Sequence, residues 1–143
     1  MDETNDPKLT SWVAVAADSH FPIQNLPFGV AVRSNGERFT TSAIGDWVLD
    51  LGELERQGVF STTLLAGMNI FQGASLNPFM ALGRDCWKAA RSTLSHLLQA
   101  ENSTIRDNAE LRQTLLIPAS EVEMVMPVEV GDYTDFYSSR EHA

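Results

Sequence analysis

Cysteine is almost absent from this chain, since Cys86 is the only one among 143 residues. A lone cysteine forms no internal disulfide and does not by itself hold a structural zinc ion, so an internal disulfide and a cysteine-based zinc site are both excluded. The first residues, Met1 to Asp6, are acidic and polar, whereas a secretory signal begins with basic residues and continues with an apolar stretch. We therefore expect a reducing, cytoplasmic location.

Basic residues are also scarce. Ten Lys and Arg oppose 19 Asp and Glu, which gives a formal net charge of -9. The basic residues are scattered along the chain, and binding to duplex phosphates or to an anionic membrane surface needs concentrated positive charge. No apolar run approaches the roughly 18 residues that a membrane-spanning helix needs. These shortages argue against nucleic-acid and membrane partners.

The length and the apolar content favour a single folded domain. Hydrophobic residues make up 43% of the chain, which is enough to form a core, and domains usually contain about 100–200 residues. Residues 1–10 are polar without periodicity, which predicts a frayed start. The apolar run Trp12–Ala16 predicts a short strand.

Three further strands are predicted around two tight turns. Asn35-Gly36 is a strong hairpin signal, because a type I′ turn needs positive φ at both central residues. It joins Phe28–Arg33 to Arg38–Ile44, and Gly45-Asp46 predicts a second turn before Trp47–Leu49. Short strands joined by tight turns predict a β-meander that closes into a small barrel.

Two helices are predicted after the meander. Asp50 and Glu53 have the spacing of a capping box, which predicts a helical turn over Leu51–Gln57. Asn77 before Pro78 predicts the start of a long helix that runs to about Ala100. Cys86 lies on the apolar stripe of that helix, and we expect it to be a buried small hydrophobic residue.

The last predicted elements are a short helix and a strand. Asp107 and Glu110 again have capping-box spacing, and Pro118 is expected to stop the helix that follows. The partly alternating stretch Val122–Met126 predicts a strand.

The end of the chain concentrates groups that transfer protons or bind metals. Six of the 19 acidic residues lie after Ser120, against one basic residue, Arg140. Carboxylates are hard oxygen ligands suited to Mg²⁺ or Ca²⁺, and a histidine acts as a base near neutral pH. The alternative reading is a polar, solvated tail. The chemically active residues of 131–142 are Asp132, Tyr133, Asp135, Tyr137, Arg140, Glu141 and His142.

This terminal stretch resembles the start of the active site in the fumarylacetoacetase family. Residues 131–143 have the sequence GDYTDFYSSREHA, which is long and specific. Three upstream stretches resemble the same family in the same order: residues 18–30, 82–91 and 106–112. The resemblance covers about residues 18–143.

The resemblance implies a fold and a reaction. It implies a mainly β fold with helices, in which a small SH3-like β-barrel domain is followed by the truncated beginning of an all-β catalytic domain. The corresponding ranges are residues 1–15 for a flexible or strand-like extension, 16–125 for the barrel domain and 126–143 for the start of the catalytic domain. The implied reaction is hydrolysis of a carbon–carbon bond in 4-fumarylacetoacetate, which gives fumarate and acetoacetate in tyrosine and phenylalanine breakdown.

The resemblance also implies roles for three residues. Asp135 corresponds to a ligand of the divalent metal, Mg²⁺ or Ca²⁺, and Tyr137 to a substrate contact. His142 corresponds to the general base that activates water. The complete enzyme is expected to be a homodimer. The family's other metal ligands lie beyond Ala143, so we expect this chain alone to be inactive.

Two other readings remain open at this point. One is a non-catalytic module whose barrel and helix dock onto another polypeptide. The other keeps the wider superfamily but changes the reaction to hydrolysis of acylpyruvates or decarboxylation of β-keto acids. The N-terminal barrel resembles fumarylacetoacetase more than it resembles those relatives.

Overall fold

A five-stranded antiparallel sheet organises the fold. The computed structural model describes residues 3–141, and the sheet within them curls into a half-barrel. The strand order is β4-β3-β2-β1-β5, which confirms the expectation of a β-sheet domain that carries helices. The strands are β1 (Phe28–Arg33), β2 (Arg38–Ile44), β3 (Trp47–Asp50), β4 (Leu116–Pro118) and β5 (Val122–Val125).

The predicted meander is confirmed in β1 to β3. Gly36 has a φ of 86° and closes the hairpin in which Val32 pairs with Arg38. The turn is not the predicted type I′, because Asn35 does not have a positive φ. Gly45 has a φ of 54° in the turn that pairs Ile44 with Trp47. Left-handed backbone of this kind favours glycine, which has no Cβ to clash. The strand predicted at Val122–Met126 also forms, and it pairs with β1 at the sheet edge.

Five helices accompany the sheet in residues 3–141. The helical turn predicted after Asp50 is confirmed, since the Asp50 side chain accepts a hydrogen bond from the Glu53 amide at 2.8 Å. No helix in this part of the chain is long and apolar enough to cross a membrane. The helices are α1 (Leu51–Arg56), α2 (Asn77–Ala81), α3 (Arg84–Leu98), α4 (Ser103–Arg106) and α5 (Ala109–Leu115).

The single long helix predicted from Pro78 to Ala100 is wrong. Gly83 has a φ of 84°. An α-helix does not accommodate that angle, so the predicted helix is divided into α2 and α3. Asn77 is not the cap, since it lies within α2 and its side chain bonds elsewhere. Cys86 packs against the core but is only half-buried.

The cap predicted for the next helix is displaced by one residue. Asn108 caps α5 by accepting from the Leu111 amide at 3.0 Å. Asp107 instead ends α4, where it pairs with Arg106 at 2.7 Å. The helix ends at Leu115, before Pro118, which lies in β4.

The strand predicted at Trp12–Ala16 is also wrong. This stretch packs as an irregular loop whose Trp12 Nε1 donates to the Leu97 carbonyl at 2.9 Å. Before it, Glu3–Asn5 form a 3-10 turn in which Thr4 is buried. Arg91 of α3 donates to the Thr4 hydroxyl at 2.9 Å. Residues 3–10 therefore include a docked turn where fraying was expected.

The sheet buries apolar residues on both faces. The larger core lies between one face and the helices, and it includes Leu49, Leu54 and Phe71. The opposite face holds a smaller cluster of Ala31, Phe39, Val48 and Ile117. The strand pairing explains this separation, because partners across an antiparallel ladder point to the same face and neighbours along a strand alternate.

Candidate functional site

Two of the three residues with implied roles, Asp135 and Tyr137, lie in an irregular segment beyond the sheet. We call residues 131–141 the C-terminal segment; it contains no helix or strand, and every residue in it is exposed. Tyr137 is 69% exposed and Phe136 is 76% exposed. Asp135 is exposed as well. His142 falls outside the described residues.

The path into this segment is fixed by a polar clamp. The Leu76 amide donates to the Pro127 carbonyl at 2.8 Å. The Asn77 side chain then makes two 2.9 Å bonds with Glu129, donating to its carbonyl and accepting from its amide. An asparagine amide carries both a donor and an acceptor, so it pairs with a backbone as a neighbouring strand would. The clamp therefore anchors the chain just before the C-terminal segment.

The two aspartates of the segment differ in their contacts. Asp132 Oδ1 accepts from the Tyr133 amide at 2.8 Å, a local contact typical of a turn. Asp135 forms no hydrogen bond or ion pair with residues 3–141, which leaves its oxygens available to a ligand.

The described residues do not complete a metal site. No group of three His, Cys, Asp or Glu side chains in residues 3–141 is placed to hold a metal ion. Mg²⁺ and Ca²⁺ take about six or more oxygen ligands. Asp135 alone therefore does not make a metal site within residues 3–141.

Asp50, the buried carboxylate at the end of β3, has a structural role. Burial raises the pKa of the Asp50 carboxyl. The hydrogen bond from the Glu53 amide and the charge of Arg33 act in the opposite direction but are outweighed. The Asp50 Oδ1 caps α1 and its Oδ2 accepts from Arg33 at 2.5 Å. The Arg33 guanidinium also stands 4.2 Å from the centroid of the Phe39 ring. Both carboxylate oxygens are thus satisfied in joining α1 to the sheet.

Sequence reasoning missed a cavity between the N-terminal loop, the sheet and the last two helices. It has a volume of about 480 Å³ and is lined by Trp12, Trp47, Arg112 and neighbouring residues. These residues come from segments far apart in the chain, so no local spacing signals that they meet.

Comparison with known proteins identifies relatives over almost the whole chain. Residues 24–127 match the family described as fumarylacetoacetase N-terminal. The fumarylacetoacetase of Oryza sativa subsp. japonica is 44% identical over 147 aligned residues, with 100% of this chain and 34% of the relative covered.

Two further relatives agree with this assignment. The fumarylacetoacetase of Arabidopsis thaliana is 46% identical and that of Homo sapiens 42% identical, over 94% and 93% of this chain. The chain spans 32% of the length of each of these relatives, about a third. The match covers well over half of the chain, and the terminal motif agrees with it. The chain belongs to the fumarylacetoacetase family.

Proposed function

We propose that this chain is the N-terminal portion of a metal-dependent hydrolase that cleaves a carbon–carbon bond of 4-fumarylacetoacetate into fumarate and acetoacetate. The observation that carries the proposal is the family match over residues 24–127 together with the specific motif at residues 131–143. In this proposal residues 16–125 form an SH3-like barrel domain, and residues 126–143 begin the all-β catalytic domain. The complete enzyme is a cytoplasmic homodimer.

Three residues of the segment take the chemical roles. Asp135 supplies one hard oxygen to Mg²⁺ or Ca²⁺. Tyr137 contacts the substrate, to which its hydroxyl group donates a hydrogen bond. His142 takes a proton from water as general base, so that the resulting hydroxide attacks a substrate carbonyl. When bound, the cation polarises the carbonyl and stabilises negative charge on the leaving group.

The exposure of the segment supports an unfinished site. Asp135 and Tyr137 lie in solvent, whereas catalytic electrostatics depends on fixed groups in a site that excludes water. We therefore expect the 143-residue chain alone to hydrolyse 4-fumarylacetoacetate negligibly in the presence of Mg²⁺ or Ca²⁺. Turnover at the rate of a complete fumarylacetoacetase would overturn this part of the proposal.

A chimera tests the function itself. Residues 1–143 would replace the aligned third of the Oryza sativa fumarylacetoacetase, and fumarate release would be measured with Mg²⁺ or Ca²⁺ present. We expect hydrolysis by this chimera. A folded chimera that binds no metal and forms no fumarate would contradict the proposal.

A pair of aspartate variants in the chimera separates the roles within the segment. Asp135→Asn is expected to lower kcat/KM by about a thousandfold, because Lewis-acid polarisation contributes several kcal/mol and each ~1.4 kcal/mol changes a rate tenfold. Asp132→Asn removes the same charge three residues away and should stay within about threefold of the parent, since surface changes have small effects. Equal losses in the two variants would contradict the assignment of Asp135.

A further inference from the structure

The cavity beside Trp12 has the features of a small-molecule site. Its 480 Å³ volume lies within the range of about 300–1,000 Å³ that is typical of ligand pockets. It is formed by the N-terminal loop, β3, β4 and the helices α4 and α5, and no residue of the described C-terminal segment lines it. The lining includes Trp12, Trp47, Leu116, Arg106, Arg112 and Gln113.

Two tryptophan side chains line the cavity. Trp12 is held in place because its Nε1 donates to the Leu97 carbonyl at 2.9 Å. Trp47 is held by β3, where it pairs with Ile44 on one side and Pro118 on the other. Leu116 is buried and adds an apolar surface. Aromatic walls of this kind favour a flat ligand, because stacked or tilted rings attract each other beyond simple burial.

The charge in the lining is positive. Arg106 and Arg112 line the cavity, and no carboxylate does. Asp107 stands next to it and is already engaged by two guanidinium bonds from Arg106, at 2.7 Å and 2.9 Å. The negative charge of Glu101 also interacts with the Arg106 guanidinium. Asp107 thus forms its ion pair with Arg106, and its negative charge also acts on Arg112.

Arg112 is the lining cation with fewer hydrogen bonds to residues 3–141. The third nitrogen of Arg106, Nη1, donates to the Ala100 carbonyl at 2.7 Å, so each of its three nitrogens makes a hydrogen bond. Arg112 Nη1 donates to the Arg106 carbonyl. The Nε and Nη2 of Arg112 have no acceptor among residues 3–141. A guanidinium with free donors is suited to bind a carboxylate, often with two parallel bonds.

We propose that this cavity binds a small aromatic carboxylate, with the ring against Trp12 and Trp47 and the carboxylate on Arg112. The apolar lining matches an aromatic ring, and the unbonded donors of Arg112 match a carboxylate. Neither an aliphatic acid nor an uncharged aromatic molecule provides both groups.

The test is a titration of the full chain followed by two-dimensional ¹H–¹⁵N NMR. The probe is 3-phenylpropionate; its controls are the amide 3-phenylpropionamide and the ring-free acid acetate, each added up to about 10 mM because small ligands bind weakly. We expect saturable shifts of the Trp12 and Trp47 indole signals with 3-phenylpropionate only. The indole of Trp87, which donates to the Phe79 carbonyl at 2.9 Å and does not line the cavity, is the internal reference.

Matched variants test the role of the guanidinium. Arg112→Gln should weaken 3-phenylpropionate binding about tenfold or more, because a hydrogen bond to a charged group is lost, whereas Arg112→Lys should retain part of the affinity. Arg38→Gln removes the same charge from an exposed position on β2 and should leave binding unchanged.

Three results would overturn the proposal. They are the absence of saturable Trp12 and Trp47 shifts in the wild type, equal binding of the amide, and unchanged binding by a folded Arg112→Gln variant. The first two need no variant, so the test does not depend on how Arg112→Gln folds.

Discussion

The body of the molecule, residues 3–130, and the C-terminal segment use similar residues in opposite ways. Phe71 is 1% exposed in the body, with its ring centroid 5.0 Å from that of Phe79 and 5.4 Å from that of Phe60. Phe136 in the segment is 76% exposed. Asp50 is buried with both oxygens bonded, whereas Asp135 is exposed. The body encloses the Phe71 ring and the Asp50 carboxylate among its own residues, while the segment presents reactive groups that it does not enclose.

The largest expected effect comes from applying one substitution to both regions. Phe71→Ala should lower the free energy of unfolding by about 3–5 kcal/mol, because it removes a buried ring and leaves a cavity. Phe136→Ala should change it by less than about 0.5 kcal/mol, as expected for an exposed side chain. Urea unfolding of both variants measures the difference. A loss of more than about 2 kcal/mol in Phe136→Ala would show that the segment packs on the body and would break the comparison.

A smaller effect is expected at the clamp between the two regions. Asn77→Ala removes both bonds to Glu129 and should cost about 1 kcal/mol or less at this exposed site. Amide hydrogen exchange should accelerate at Glu129 and remain unchanged in β2. Asn77→Asp keeps the acceptor for the Glu129 amide and should preserve its protection. Slow exchange at Glu129 in Asn77→Ala would contradict the clamp.

The smallest effect is the pH dependence contributed by Asp50. Burial raises its pKa in the folded chain, so the folded state keeps this proton as the pH rises past about 3.9, where the unfolded carboxyl ionises. The unfolded state then holds fewer protons, and the free energy of unfolding decreases with increasing pH in that window. Asp50→Asn has no proton to lose at this position.

Unfolding of the wild type and Asp50→Asn across that pH range isolates this contribution. The free energy of the wild type minus that of the variant should fall as the pH rises. A difference that grows with pH would indicate that the contacts with Arg33 and the Glu53 amide outweigh burial.

Local chemistry explains which elements were predictable. Asn35-Gly36 and the Asp50–Glu53 cap act within a few residues, and the hairpin and the cap both formed, although the hairpin turn is not the predicted type I′. The spacing of apolar residues predicted one helix through Gly83. Gly83 instead separates two helices, because it has a positive φ that hydrophobic periodicity does not reveal. Trp12–Ala16 looked like a strand, yet its hydrogen bonds go to the end of α3, 85 residues away for the Trp12 indole.

The candidate sites divide in the same way. Asp135, Tyr137 and His142 lie within eight consecutive residues, so a motif identifies them through resemblance. The Trp12, Trp47 and Arg112 cavity depends on the packing of a loop, a strand and a helix. The spacing of these residues in the sequence does not predict that they lie together, because only the fold brings them into contact with one cavity.

Amide hydrogen exchange of the 143-residue chain, resolved by residue, tests the contrast between body and segment most directly. We predict strong protection in β1, β2 and β3, where the ladders are complete, and exchange close to that of an unfolded peptide in the C-terminal segment. Protection in residues 131–141 equal to that of the strands would contradict the account, because the segment would then be a packed part of the body.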